Sequence, residues 1–150
     1  MGGGLRDALI GAWELVDVTE HDADGEVRRP FGERPLGLIL YTPDGYMSAQ
    51  LMAREAGAEG CEACFAYSGS FSVNEDAGTV THHLVVSLRP DWMGTDQLRV
   101  ASVRGDELEL ASASPAPSGR PNPSWAAGDE QLVMTTISWR RAVSVGVPGR

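Results

Sequence analysis

The segment LILYTPDGYMSAQLM, residues 38–52, carries four hydrogen-bonding side chains among apolar residues: Tyr41, Tyr46, Ser48 and Gln50. Its central Thr-Pro-Asp-Gly has the composition of a tight turn, so the segment predicts a β-hairpin. Hydroxyl and amide groups that face an apolar interior orient a bound molecule through hydrogen bonds. We therefore predict that the inward members of this set contact a ligand. The alternative is a filled interior with tyrosines at its rim.

Two adjacent histidines, His82 and His83, lie within the apolar run TVTHHLVV. Imidazole has an unperturbed pKa near neutrality, so an inward histidine beside a tyrosine forms a general acid–base pair. Neighbouring strand residues point to opposite faces, so only one of the two can face an interior. His82 is the predicted inward residue, because strand alternation places it on the same face as the apolar residues Val80, Leu84 and Val86. The alternative role for His82 is that of a hydrogen-bonded core residue.

Other candidates come from later segments of the chain. Segment 64–74 places three aromatic residues on one strand face: Phe65, Tyr67 and Phe71. Trp92 lies in a loop from which its ring can close over a ligand. An inward Arg99 would bind a carboxylate, enolate or tetronate-like acid, although the sequence somewhat favours an outward, solvated Arg99.

These residues form the predicted site. The predicted catalytic residues are His82, Tyr67 and Tyr46. The predicted substrate-binding residues are Tyr41, Ser48, Gln50, Phe65, Phe71, Leu84, Trp92, Arg99 and Met134.

Composition excludes several classes of function. All 12 basic residues are arginine, so the lysine chemistry of Schiff bases, pyridoxal phosphate and Walker motifs is absent. A net charge of −9 argues against nucleic acid and anionic membrane as partners. Cys61 and Cys64 form a C-x-x-C pair, but a metal site would need two more ligands and the three histidines are the only nitrogen candidates, so we interpret the cysteines as loop thiols. We expect no metal and no cofactor.

The first residues lack a signal sequence and no apolar run is long enough for a membrane span, so a cytoplasmic location is expected.

The pattern of the chain predicts nine strands after a short N-terminal helix that ends at Gly11. The candidate strands are 12–20, 27–30, 36–42, 45–52, 64–74, 79–88, 96–104, 107–112 and 130–140. Short turn-rich links such as TPDG, NEDAG and RGDE join them, which is typical of an antiparallel meander that closes into an up-and-down β-barrel. We expect an all-β single domain over residues 1–150, with the barrel over about 11–141 and a loosely held tail over 142–150.

The order of several motifs resembles the lipocalin-like domain family. These motifs are Gly11-Ala12-Trp13, P-F-G, Y-T-P-D-G-Y-M-S-A-Q and T-V-T-H-H, and the resemblance covers about residues 8–112 with a weaker echo in LVMTTISWRR. It implies a lipocalin-like barrel whose Trp13 plugs one end, with Arg140 or Arg141 lying across the ring. The chain departs from the family in the short, cysteine-bearing segment AREAGAEGCEAC, which implies a small lid.

The resemblance implies two classes of function, because the wider group contains carriers of hydrophobic molecules and cofactor-free enzymes that cyclise or isomerise polyketide-type intermediates. With no nucleophile elbow or phosphate loop in the sequence, chemistry that needs shape and a few polar contacts remains. The sequence-based prediction is a cofactor-independent cyclase or isomerase of bacterial secondary metabolism. The alternative is a non-catalytic carrier or sensor. Either would bind a hydrophobic small molecule, and a homodimer is compatible with the sequence.

Overall fold

A computed structural model of the protein describes residues 3–22, 26–54, 64–112 and 132–143. The elements in chain order are α1 (Leu5–Leu9), β1 (Gly11–Asp22), β2 (Val27–Arg28), β3 (Leu36–Tyr41), β4 (Tyr46–Met52), β5 (Cys64–Asn74), β6 (Thr79–Ser87), a 3₁₀ turn (Pro90–Trp92), β7 (Asp96–Arg104), β8 (Glu107–Ser112) and β9 (Leu132–Arg141). Each predicted strand is found with ends within two residues of the prediction. In the described part of the chain, no helix is long and apolar enough to cross a membrane.

The strands form a closed antiparallel barrel. Strands β3 to β9 pair in sequence order, β1 pairs with β3, and β9 pairs back with β1. Eight strands therefore close the cylinder, while the two-residue β2 pairs only with the far end of β1. Closure leaves no unpaired edge among the eight, which is how up-and-down barrels avoid edge-to-edge aggregation. The predicted all-β lipocalin-like barrel with a short N-terminal helix is confirmed.

The turn between β3 and β4 is the predicted hairpin. Gly45 adopts a φ of 99°, a conformation that disfavours side-chain-bearing residues. The Gly45 amide donates to the Thr42 carbonyl at 3.1 Å, and the Thr42 amide donates to the Tyr46 carbonyl at 2.8 Å. This turn sets the register so that Tyr41 faces Met47 across the two strands. The partner of Tyr41 on the inner face is therefore Met47 and not Tyr46.

One end of the barrel is closed by α1 and Trp13. The Trp13 ring is fully buried, and its indole N–H donates to the Leu9 carbonyl at 2.9 Å. The guanidinium of Arg141 lies over this ring at 4.1 Å from the centroid, and it donates to the carbonyls of Ala8 and Ile10. Of the two arginines proposed for this contact, Arg141 makes it, because strand alternation turns Arg140 outward.

A β-bulge between β5 and β6 interrupts the alternation of β6. Ser68 pairs with Val86, whereas the next residue, Gly69, pairs with Leu84, so Val85 has no partner on β5. A Cβ atom at Gly69 would lie 1.8 Å from the His83 carbonyl oxygen, so only glycine permits this approach. Val86 is consequently 61% exposed, and the expectation that it shares the inner face with His82 is wrong.

Candidate functional site

Three side chains from different strands meet inside the barrel. Tyr41 is the last residue of β3, Tyr67 lies in β5 and His82 lies in β6, and all three are buried. The Tyr41 hydroxyl lies 2.7 Å from His82 Nε2, and the Tyr67 hydroxyl lies 2.8 Å from His82 Nδ1. Both ring nitrogens of His82 are therefore engaged, and the imidazole bridges the two phenols. The sequence-predicted pairing of an inward histidine with a tyrosine is present twice.

The Tyr41–His82–Tyr67 array is electrically neutral at physiological pH. Burial, followed by the charges of Arg99 and His83, lowers the pKa of His82 to about 3. Burial raises the pKa of the Tyr41 and Tyr67 hydroxyls above the usual value of a phenol. His82 is therefore a neutral imidazole between two protonated tyrosines.

This array contains one O–H donor that has no acceptor among the described residues. A neutral imidazole offers one N–H donor and one acceptor nitrogen. One tyrosine must therefore donate to His82 while the other accepts from it, and the accepting tyrosine keeps its own O–H. Neither hydroxyl makes another hydrogen bond to the described residues. A spare phenolic donor inside an apolar barrel is a group that can orient a ligand oxygen.

Arg99 lies beside this array and faces inward. It is only 5% exposed, and it pairs with Val80 on β6 and Ser112 on β8, which are also buried. The favoured outward orientation of Arg99 is thus wrong. The opposite face of β7 carries the apolar Leu98 and Val100, and the barrel turns these outward. Burial lowers the pKa of Arg99 and both tyrosines oppose this change, but a guanidinium keeps its charge in proteins.

Aromatic residues connect the array to the two ends of the barrel. Phe71 packs edge-on against Tyr41 with ring centroids 4.9 Å apart, near α1. Phe65 packs against Tyr67 at 5.5 Å and against Trp92 at 4.9 Å, toward the opposite end. The inward orientation predicted for Phe65, Phe71 and Leu84 is present, and their role in binding stays a prediction.

Three hairpin residues face outward, contrary to prediction. Tyr46 is 59% exposed, and Ser48 and Gln50 follow the same outer alternation, because Met47, Ala49 and Leu51 take the inner face of β4. The Gln50 amide donates to the Ser48 hydroxyl at 2.7 Å, and this hydroxyl lies 2.8 Å from that of Ser68. Tyr46 and Ser48 are therefore surface residues. Tyr46 cannot reach His82, which corrects its predicted catalytic role inside the barrel.

Some predicted residues lie beyond what the structure describes. The backbone of Met134 is part of β9, but its side chain falls outside the described residues, as do Cys61 and the whole segment 113–131. Cys64, the other member of the cysteine pair, is a half-buried residue at the start of β5. Groups of three or more potential metal ligands do not occur among the described side chains.

A groove of about 730 Å³ was not predicted from the sequence. It lies on the outer face of β3–β5 and reaches residues of the inner face near the end opposite α1. Its outer-face lining includes Leu36, Leu38, Gln50, Met52, Ala66 and Leu88. Its inner-face lining includes Leu15, Leu51 and Phe65. The polar array does not line this groove, and Phe65, which packs on Tyr67, is the contact between them. The sequence feature that could have predicted this groove is the run of leucines at the outward-facing positions of β3.

His83 makes a separate polar cluster on the outer face. Its Nε2 lies 3.0 Å from the Ser72 hydroxyl, and its Nδ1 lies 2.8 Å from Asp96 Oδ1. The Ser–His–Asp order of these contacts matches that of a serine hydrolase, but the cluster is on a solvent-facing sheet and does not line the groove on β3–β5. We interpret it as cross-strand support of β5–β6–β7.

Comparison with known proteins agrees with this architecture. The sequence model of the lipocalin-like domain matches residues 10–142. The chain belongs to the lipocalin-like domain family. The match extends beyond the residues 8–112 that carried the resemblance, and it includes β9, which closes the barrel.

The chain is similar to individual known proteins either over part of its length or at low sequence identity. The chain is 43% identical over 56 residues to the 4'-hydroxy-3'-methoxypropiophenone carrier protein ppsC of Aspergillus oryzae (strain ATCC 42149 / RIB 40), which is 33% of this chain. The match spans half, 50%, of that relative's length. A lipocalin-like protein from Bacteroides uniformis aligns with a TM-score of 0.49 and 14% identity, over 90% of this chain and 99% of the other. A redesigned β-barrel aligns with a TM-score of 0.47 and 10% identity, over 92% and 95% of the two chains.

Proposed function

We propose that this protein binds a hydrophobic, oxygen-bearing small molecule inside its barrel and acts as a carrier for it. The observation that carries the proposal is the buried Tyr41–His82–Tyr67 array beside Arg99, which directs polar groups into a mostly apolar interior. Small-molecule sites are mostly apolar, with a few placed polar groups that fix orientation. The name of the Aspergillus relative, a carrier of an aryl ketone that bears a phenolic hydroxyl, supports this ligand class.

The energetics of the interior favour a binding role over a purely structural one. A buried polar group costs free energy unless it is hydrogen-bonded, and a core of apolar residues of similar volume avoids this cost. Here the array leaves a phenolic O–H and several guanidinium N–H groups without acceptors among the described residues. A ligand carbonyl or hydroxyl oxygen would satisfy these donors. We place the approach of the ligand at the end where Phe65 and Trp92 pack together.

The test is a pair of matched tyrosine substitutions. The probe is 4'-hydroxy-3'-methoxypropiophenone, with binding measured by calorimetry or intrinsic tryptophan fluorescence. Tyr67→Phe should weaken binding about 3–10-fold, the scale of one neutral hydrogen bond. Tyr46→Phe removes the same hydroxyl from the exposed outer face of β4 and should leave the Kd unchanged.

Two outcomes would contradict the carrier proposal. The first is that the wild-type protein shows no saturable binding of this probe or of related aryl ketones. The second is an equal loss of affinity in both variants, which would place the ligand outside the barrel interior. Thermal unfolding of both variants serves as the folding control.

A cofactor-independent cyclase or isomerase of polyketide-type intermediates is the second candidate. The hydroxyl–imidazole–hydroxyl chain favours it, because protons can shift along such a chain without separating charge. A pKa of about 3 makes His82 a weak base, so catalysis would rest on holding the substrate in a reactive conformation. Conversion of an intermediate accumulated by a deletion strain should then show a flat rate between about pH 6 and 8, with a loss of roughly 10-fold in His82→Ala. A steep limb near neutrality that disappears in the variant would instead indicate proton transfer by His82.

A further inference from the structure

We infer that the barrel binds its ligand as an oxyanion whose negative oxygen lies on the guanidinium of Arg99. This inference rests on the proposed function and specifies the chemistry of its ligand. The class is a weak oxygen acid on a hydrophobic body, such as a phenol or an enol.

None of the described residues neutralises the charge of Arg99. Arg99 is 5% exposed and makes no ion pair within the part of the chain that the structure describes. The buried carboxylate in the described interior is that of Glu20 on β1, and three strand pairings separate it from Arg99. The groups of the other strands that influence Arg99 are the hydroxyls of Tyr41 and Tyr67, both protonated, and the neutral His82. A buried cation without an anion is costly, and a bound anion removes that cost.

Most N–H donors of Arg99 also have no acceptor among the residues that the structure describes. A guanidinium has five N–H groups in a fixed planar fork. Arg99 Nη1 donates to the Leu98 carbonyl at 2.9 Å, and Nη2 donates to Gln97 Oε1 at a long 3.4 Å. The neighbouring array contributes one further O–H donor. Positive charge and spare donors of the described residues therefore converge at Arg99, and an oxyanion is the complementary ligand.

The weak acidity of the ligand makes this inference measurable. A phenol in neutral water keeps its proton, whereas an opposite charge within about 4–6 Å lowers the pKa of an acid by about 1–3 units. The spare tyrosine O–H, if it donates to the anionic oxygen, acts in the same direction. The bound ligand should therefore ionise at a lower pH than the free ligand. Phenolates of hydroxyaryl ketones absorb at longer wavelengths than the neutral phenols, which reports the ionisation directly.

The experiment compares 4'-hydroxy-3'-methoxypropiophenone with its O-methyl ether, which cannot ionise. Absorbance of each ligand is recorded with excess wild-type protein between about pH 6 and 9, alongside the Kd. We expect the acid dissociation constant of the bound phenol to be at least about tenfold larger than that of the free phenol. We expect the ether to bind at least about tenfold more weakly than the phenol. Arg99→Met keeps a long side chain without the charge and should abolish the spectral shift. Arg104→Met, at an exposed position of the same strand, is the matched control and should retain it.

Each outcome has a distinct meaning. If phenol and ether bind equally well and the bound phenol titrates as in free solution, the oxyanion inference is overturned and the carrier proposal stands. A shift that persists in folded Arg99→Met also overturns it, because another group would then stabilise the anion. If neither compound binds, the proposed function itself fails. If Arg99→Met does not fold, an unshifted titration of the phenol bound to the wild-type protein still overturns the inference.

Discussion

His82 and His83 show how one residue type acquires two different environments at adjacent positions. His82 faces inward, is fully buried and has both ring nitrogens bonded to tyrosines. His83 faces outward and contacts Ser72 and Asp96 at the surface. Strand alternation alone predicted that they separate. The neutrality of His82 depends on burial by several other strands, which alternation does not show.

The buried histidine predicts a specific pH dependence of stability. Its pKa is about 3 in the folded barrel and near the ordinary 6.5 in the unfolded chain. Between these values the unfolded chain binds a proton that the folded protein does not, so His82 makes unfolding easier as the pH falls below about 6.5. When the pH falls from about 7.5 to 5.5, His82 should lower the free energy of unfolding by about 1.4 kcal/mol. Urea denaturation at several pH values measures it.

Two glutamine variants isolate this contribution. His82→Gln cannot titrate and should lose the part of the pH dependence that belongs to His82. His83→Gln makes the same substitution at the adjacent, half-exposed outward position and is the matched control for the substitution itself. A His82→Gln slope equal to that of the wild type would show that His82 is protonated in the folded barrel.

At the scale of elements, turn chemistry and alternation located the strands well. The Thr42–Gly45 turn was predicted from its residues, and the positive φ of Gly45 explains why glycine ends it. Alternation was less reliable in β6, where Val86 turned outward. The cause is the bulge at Gly69, which depends on close contact between two strands and leaves no signal in β6 itself.

The contact between α1 and β9 predicts an unequal effect of two neighbouring arginines. Arg141→Ala removes a cation–π contact with Trp13 and two hydrogen bonds to carbonyls around α1, so it should destabilise the barrel by about 1–3 kcal/mol. Arg140→Ala changes an exposed residue that lies opposite Glu14 and Glu107 in the strand register, and such surface charges contribute about 0–1 kcal/mol. Chemical denaturation compares the two. Equal losses would contradict the closing role assigned to Arg141.

At the scale of the whole molecule, closure gives the barrel one interior that combines residues from every part of the chain. Tyr41, Tyr67, His82 and Arg99 come from four strands, and only the closed register brings them together. The same closure leaves an apolar groove on the outer face of β3–β5.

Ligand binding by this interior should be independent of metal and of thiols. The described side chains contain no cluster of three potential metal ligands, and Cys64 lies at the rim of β5, away from the polar array. Calorimetry with excess EDTA, and with the double variant Cys61→Ser, Cys64→Ser, should give the wild-type Kd within about twofold. Loss of binding on chelation would reveal a metal site that includes residues beyond those described.

The sequence by itself determined the strand positions, the hairpins and the inward His82, because turn residues and alternation are local properties. The lipocalin-like family was indicated by the resemblance of its ordered motifs. Local alternation divides a strand into two faces without stating which face is inside. For β4 and β7 that choice was decided by tertiary structure, which turned Tyr46, Ser48 and Gln50 outward and Arg99 inward. The physical reason is closure: pairing of β9 with β1 fixes the register of all eight strands together, and each strand must take the face that this shared register gives it.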